Sequence, residues 1–379
     1  IEKTGAGNNS GAGGNTFNGT TTLINSGSGH LLTANASPDI FNGDLTVTNS
    51  GSNLIYLAHA SAGNQFNGNI ILNSTGSSSG IYFSNNSGGS STQAATKTIS
   101  LGGSGFTSGE LRIARLTQLG TENTTLILGG TSAVLRVGPN TTFGGNIDFR
   151  SPQLYLDGVT VAGTSNLEKT GATNDASLGG NVFTGAATIT NSGSGYLLFG
   201  NGSRDQFLST AVFDNTGSYR IYFAHNHPGE TTTFASSLTL NSNKSGGSDQ
   251  YSYLIAENGT SSFSVGGPFA INCFGGIRSD FRLLNGTGSS ATYSSTVAIN
   301  NANSHPSTVI RMGENGTSTY ANNVSVANSG GSSGIIFNSN AAANSTMNGV
   351  ISGGIFSGGT LNLNRFTQTG TSLQTLTLT

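Results

Sequence analysis

The sequence predicts an all-β chain wound as a parallel β-helix, or β-solenoid, with about 24–27 residues per turn. Three observations carry that expectation. The segment Ile1 to Leu32 returns as Leu167 to Leu198, 166 residues later, so a module is stacked on copies of itself. Inside it a shorter beat runs, with Phe-Asn-Gly at Phe17, Phe41 and Phe66 and its continuation at Phe183, Phe207, Phe234, Tyr293, Tyr320 and Met347. Between the beats the apolar residues alternate over short runs such as Leu45-Thr46-Val47-Thr48 and Leu361-Asn362-Leu363-Asn364, which is strand patterning. Tandem β-sandwiches are the alternative, since hairpins also use Asn-Gly turns.

Each turn reads in a fixed order. After the Phe comes one strand, then an Asn-x-Gly corner (Asn25, Asn49, Asn191, Asn215, Asn328), then a second strand. Glycine suits such corners because it reaches positive φ without a Cβ clash, and Asn is the next most tolerant. Arg115-Leu-Thr-Gln matches Arg365-Phe-Thr-Gln at an offset of 250, so the second unit is 84 residues longer, close to three extra turns. The expected organisation is one solenoid unit over 1–166 and a second over 167–379 that carries this insertion and continues beyond the segment. The chain is expected to close on an alternating strand at Leu373–Thr379, with export signal, caps and anchor lying outside it.

Composition narrows the function classes. Only 8% of residues are charged and the formal net charge is -2, so no electrostatic pull toward nucleic acid or an anionic membrane is expected. Disorder is disfavoured by 20 Phe and 10 Tyr with only 6 Pro. The single Cys273 has no CxxC context, and no apolar run is long enough to insert in a membrane. His225-Asn-His227 with Glu230 would set two imidazoles on one strand face near a carboxylate, but His225 falls where His59 stands in the first unit. An ordinary corner position is preferred over a metal site, and His30 and His305 are read as isolated surface residues. Asp39, Asp44, Asp148, Asp157 and Asp205 show no recurring turn position, so no catalytic, metal or cofactor residue is assigned and no enzyme is expected. Asn-x-Ser/Thr triplets at Asn18, Asn35, Asn73, Asn201, Asn258, Asn285 and Asn315 are read as stacked Asn ladders before glycosylation sites.

Aligned on the Asn-x-Gly corners, the second strands carry three adjacent apolar columns. Ile55 with Leu57, and Ile81 with Phe83, should point inward, which turns the column between them outward: Leu32, Tyr56, Tyr82, Leu198, Tyr222 and Ile336. An outward apolar stripe is covered by a loop or by stacking between turns, packs against a sister chain, or binds a ligand such as a sugar ring.

The openings Ile1-Glu2-Lys3-Thr4-Gly5-Ala6-Gly7 and Leu167-Glu168-Lys169-Thr170-Gly171-Ala172 resemble the Leu-x-Lys-Thr-Gly-x-Gly start of the autotransporter-associated β-strand repeat. The longer pattern, Asn-x-Phe-x-Gly through Asn-Ser-Gly-Ser-Gly-x-Leu-Leu to Asp-x-Phe-Asn-Gly-Asp, is similar to giant repetitive surface proteins of Bacteroidota. That resemblance implies an extracellular, cell-surface protein exported by the type IX route and acting in adhesion, gliding or prey capture. Some such giants resemble subunits of antenna-like grappling appendages in which copies bundle into a fibre. The expectation is therefore a shaft segment that assembles with copies of itself, without a cofactor. The alternative is a glycan-binding adhesin module using the Tyr column, with a β-helix polysaccharide-degrading enzyme third.

Overall fold

The computed structural model describes residues 1–331, 334–374 and 376. The chain divides into two compact units, Ile1–Gly171 and Ala172–Thr379. In each, every ordered element is a β-strand, and among the described residues there is no helix and every pairing is parallel. The antiparallel hairpins of a tandem sandwich are thus absent among the described residues. Each turn adds one strand to each of three sheets, and the second sheet has 7 strands in the first unit and 8 in the second.

The long repeat becomes register. In the first unit Thr21–Asn25, Leu45–Asn49 and Ile70–Ser74 pair residue for residue, so Leu23, Val47 and Leu72 form one inward column. In the second, Ala187–Asn191, Ala211–Asn215 and Leu238–Ser242 do the same with Ile189, Phe213 and Leu240. These strands alternate buried and half-exposed positions, as period-two patterning requires. The Phe beat becomes a stack: the Phe183 and Phe207 rings lie 4.9 Å apart and those of Phe207 and Phe234 4.8 Å apart, with nearly parallel planes. Val265 interrupts the rings for one turn, then Tyr293 and Tyr320 resume the stack at 4.9 Å, with Met347 next in register. Tyr293 is fully buried and its hydroxyl has no partner. Tyr293→Phe is therefore expected to stabilise the chain by about 1 kcal/mol, because a desolvated, unbonded hydroxyl is removed and the ring kept. Thermal melting of the two proteins checks it, and a lower midpoint for the variant would refute it.

Turn length is more variable than the beat suggests. Equivalent positions are 18 residues apart at Ile147 and Ser165, and 31 apart at Leu238 and Phe269. The strands keep their length and the corners absorb the difference. Two strands also take up extra residues internally, where Gly102-Gly103-Ser104-Gly105 stands against Asn73 and Gly354-Ile355 against Ala327. The terminal strand expected at Leu373–Thr379 falls largely outside the described residues, and Leu373 and Gln374 are irregular.

The Asn-x-Gly corners work differently from the expectation. Gly51 and Gly217 do not need positive φ; they need closeness, since a Cβ would sit 2.0 Å from the Gly27 carbonyl oxygen and 2.1 Å from that of Gly193. The positive-φ corner is the one after the second strand, and it is filled by Ala34, Ala58, Ser84, Ala224 and Ala256. The corner asparagines point inward. Asn25, Asn49, Asn191 and Asn215 are fully buried, and each Nδ2 donates to the carbonyl four residues on, at 2.7–3.1 Å. Lys3 stands beside Asn25 in this column, and Lys169 is buried in the same repeat position; each ammonium donates to the glycine carbonyl two residues later, Gly5 and Gly171. An outer ladder of Asn18, Asn42 and Asn67, linked at 2.9 Å, accounts for the first glycosylation triplet.

Candidate functional site

The predicted outward column exists as a register column on the second sheet of each unit. Leu32 pairs with Tyr56, Tyr56 with Tyr82, and Leu198 with Tyr222. Its flanks point inward: Ile55, Leu57, Ile81 and Phe83 are fully buried. Tyr56, Tyr82, Tyr222 and Ile336 are half-exposed. Leu32 and Leu198 are not outward contacts, at 7% and 4% exposed. The residue two places earlier forms an edge-on ring pair with the Tyr of the next turn, His30 with Tyr56 at 5.7 Å and Tyr196 with Tyr222 at 5.3 Å.

Four further positions of the column are arginine. In the first unit Tyr82 is followed by Arg112, Arg136 and Tyr155. In the second, Tyr222 is followed by Leu254, Arg282, Arg311 and Ile336. Arg136 lies over the Tyr155 ring at 3.9 Å and is paired with Asp157 at 3.0 Å and Glu110 at 3.5 Å. In the second unit Tyr251 sits between two guanidinium groups, Arg220 at 5.0 Å and Arg282 at 5.2 Å. Arg220 chelates Asp249, and Arg282 chelates Glu314 while reaching Asn285. Burial pushes the Tyr222 phenol up to about 12, against the opposing pull of Arg220, and burial likewise raises Tyr56 and Tyr82. Tyr82 and Tyr222 stand beside fixed cations, Arg112 at 5.8 Å and Arg220 at 5.6 Å from the ring centres.

Sequence reasoning missed the arginines because their strands lack the Asn-x-Gly corner used for alignment. A usable signal was present in four tetrapeptides of one form, Glu110-Leu-Arg-Ile113, Val134-Leu-Arg-Val137, Asp280-Phe-Arg-Leu283 and Val309-Ile-Arg-Met312.

The histidine cluster comes apart. His225 and His227 lie in the corner after Phe223, not on a strand face. His225 meets Glu257 at 3.2 Å and stands edge-on to Tyr222 at 5.0 Å, as His59 does to Tyr56 at 5.0 Å, so the two histidines do occupy one repeat position. His227 is buried; its Nδ1–H donates to the Glu230 carbonyl and its Nε2 accepts from the Thr232 hydroxyl, an arrangement of neutral imidazole. Burial lowers its pKa accordingly. Among the described residues no group of three or more His, Cys, Asp or Glu side chains is placed to hold a metal ion. Cys273 is buried in the corner column beside Ser242 and Asn301, its thiol pushed up to about 12 by burial. Two of the acidic residues do recur: Asp39 and Asp205 are buried in equivalent corners, each accepting from the backbone N–H and side-chain amide of an asparagine, Asn15 and Asn181. They brace corners and gather no second carboxylate at those contacts. No family model, curated protein or solved structure matches the chain.

Proposed function

We propose that this chain is a structural shaft segment of an extracellular repeat protein that packs with copies of itself into a cell-surface adhesive or prey-capturing filament. The reading is supported above all by the runs of consecutive turns that pair in register within each unit, where inward apolar columns recur and asparagines such as Asn25, Asn49, Asn191 and Asn215 brace the corners. Stability of that kind grows with the number of turns and needs no pocket. The half-exposed Tyr56, Tyr82 and Tyr222 offer edges for a sister chain. Replacing all three by Ser is expected to dissociate the assembly while the β circular dichroism stays intact. Sedimentation of the wild-type and variant chains decides it, and an unchanged native mass would sink the idea. The second reading, a glycan-binding face, is favoured by the arginines that share the column with the tyrosines, because planar donors beside ring edges suit hydroxylated ligands.

A further inference from the structure

The second unit holds a feature with no counterpart in the corners that define the repeat. In the Asn191–Leu197 and Asn215–Ile221 corners five residues separate the strands. In the next three turns the separation grows to eight (243–250), six (274–279) and seven (302–308). These turns lie in the stretch where the second unit exceeds the first. Insertions on successive turns of a repeat fold project on one face, which is where such folds commonly bind. Together the three corners border an open cleft of about 410 Å³ lined by Gly247, Ser248, Asp249, Gln250, Ile277, Arg278 and His305.

The cleft is built. Its longest wall is tied down by buried Lys244, whose ammonium donates to the carbonyls of Asp249 and Tyr251 at 2.5 and 3.0 Å. The Asp249 carboxylate is committed to Arg220, with contacts of 2.7 and 2.8 Å. Arg278 is held on one edge by the buried Asp280, through Nε at 3.3 Å and Nη2 at 2.8 Å, which leaves the Nη1 edge of the guanidinium for another acceptor. Asp280 is itself fixed by the Val309 backbone N–H at 3.0 Å and by Arg311 at 3.7 Å. The His305 Nδ1 accepts the Ser307 backbone N–H at 3.2 Å, so the ring proton sits on Nε2 as a donor.

Charge selects the class of ligand. Around the cleft Lys244, Arg220, Arg278 and Arg311 are set against the carboxylates of Asp249 and Asp280, and Arg278 is the guanidinium that lines it, in a chain whose formal net charge is -2. A local excess of positive charge over a rigid pair of donors recognises an oxyanion. The volume exceeds what an inorganic anion fills and lies within the range of small-molecule sites. The lining also includes Ser248 and Gln250, residue types that hydrogen-bond hydroxyl groups.

We propose that this cleft binds a carboxylate-bearing saccharide, with the carboxylate on the Arg278 Nη1 edge and His305 Nε2. The inference goes beyond the shaft reading and does not depend on it, since a single chain contains the whole cleft. Isothermal titration calorimetry of the full chain with trigalacturonate, its neutral methyl ester and inorganic phosphate tests it. Saturable binding of trigalacturonate is expected, weakened about tenfold or more by Arg278→Gln as a charge-assisted hydrogen bond is lost, and less by His305→Gln. The ester and phosphate are expected to bind at least about tenfold more weakly than the acid. No heat with trigalacturonate overturns the proposal, as does equal binding of the ester, equal binding of phosphate alone, or indifference to Arg278→Gln in a variant whose melting is unchanged. Sedimentation is read separately, so failure of the shaft reading and failure of this one are distinguishable.

Discussion

An alanine inserted between Ala211 and Val212 will destroy cooperative folding of the second unit, whereas excision of the whole turn Ala211–Ser237 will leave a shorter, folded one. Ala211, Phe213 and Asn215 point inward, and Val212 and Asp214 outward. Sliding the strand by one residue puts Val212 in the place of Phe213, turns the Phe213 ring to solvent, and drives the Asp214 carboxylate into the buried site of Asn215. Losing the ring from the core costs about 3–5 kcal/mol, and burying the carboxylate away from its amide partner Asn241 and against the Tyr219 and Ser252 carbonyls adds several more. The sum approaches the entire stability of an ordinary domain. Excision is different because Ala211 and Leu238 are register partners, so the new junction joins Thr210 to a strand of the same inward pattern. Urea unfolding followed by circular dichroism distinguishes the two. Near wild-type stability of the insertion variant would mean that the strand bulges as it does at Gly102-Gly103, and would refute the register argument.

Phe207→Ala is the second large effect. Phe207 is stacked on both sides and also meets Phe213 edge-on at 5.7 Å, so truncation removes one ring from the middle of a column. The neighbouring rings are held by backbone ladders above and below and cannot collapse into the space. The cost is expected to fall at about 3–5 kcal/mol, near the upper end for a core phenylalanine. Phe17→Ala, at the half-exposed start of the first unit's stack, is expected to cost less than half as much. Equal destabilisation of the two would show that stacking inside the column adds nothing.

Strand identity and inward columns were legible because alternation and the Phe beat are direct consequences of pleat and stacking. The tandem-sandwich alternative fell to the same fact, since equivalent residues every turn imply parallel neighbours. What the sequence hid was of two kinds. Glycines 51 and 217 look like conformational switches but are spacers, because the clash that excludes a side chain comes from a residue 24 positions earlier. The charged half of the outward column escaped because Arg112, Arg136, Arg282 and Arg311 follow corners without Asn-x-Gly. Their partners are also remote in sequence: Arg136 meets Asp157, and Arg282 meets Glu314. The 243–250 wall was hidden for the same reason, its shape depending on a buried lysine that no spacing announces.

The parallel ladders have a mechanical meaning. Their backbone hydrogen bonds run along the stacking direction, so tension applied in that direction loads the few bonds of one turn at a time instead of shearing a whole sheet. A turn of about 25 residues that lets go frees about 80–90 Å of slack. Under pull each unit would yield in discrete lengths, dissipating work at every release while the turns still wound keep their shape.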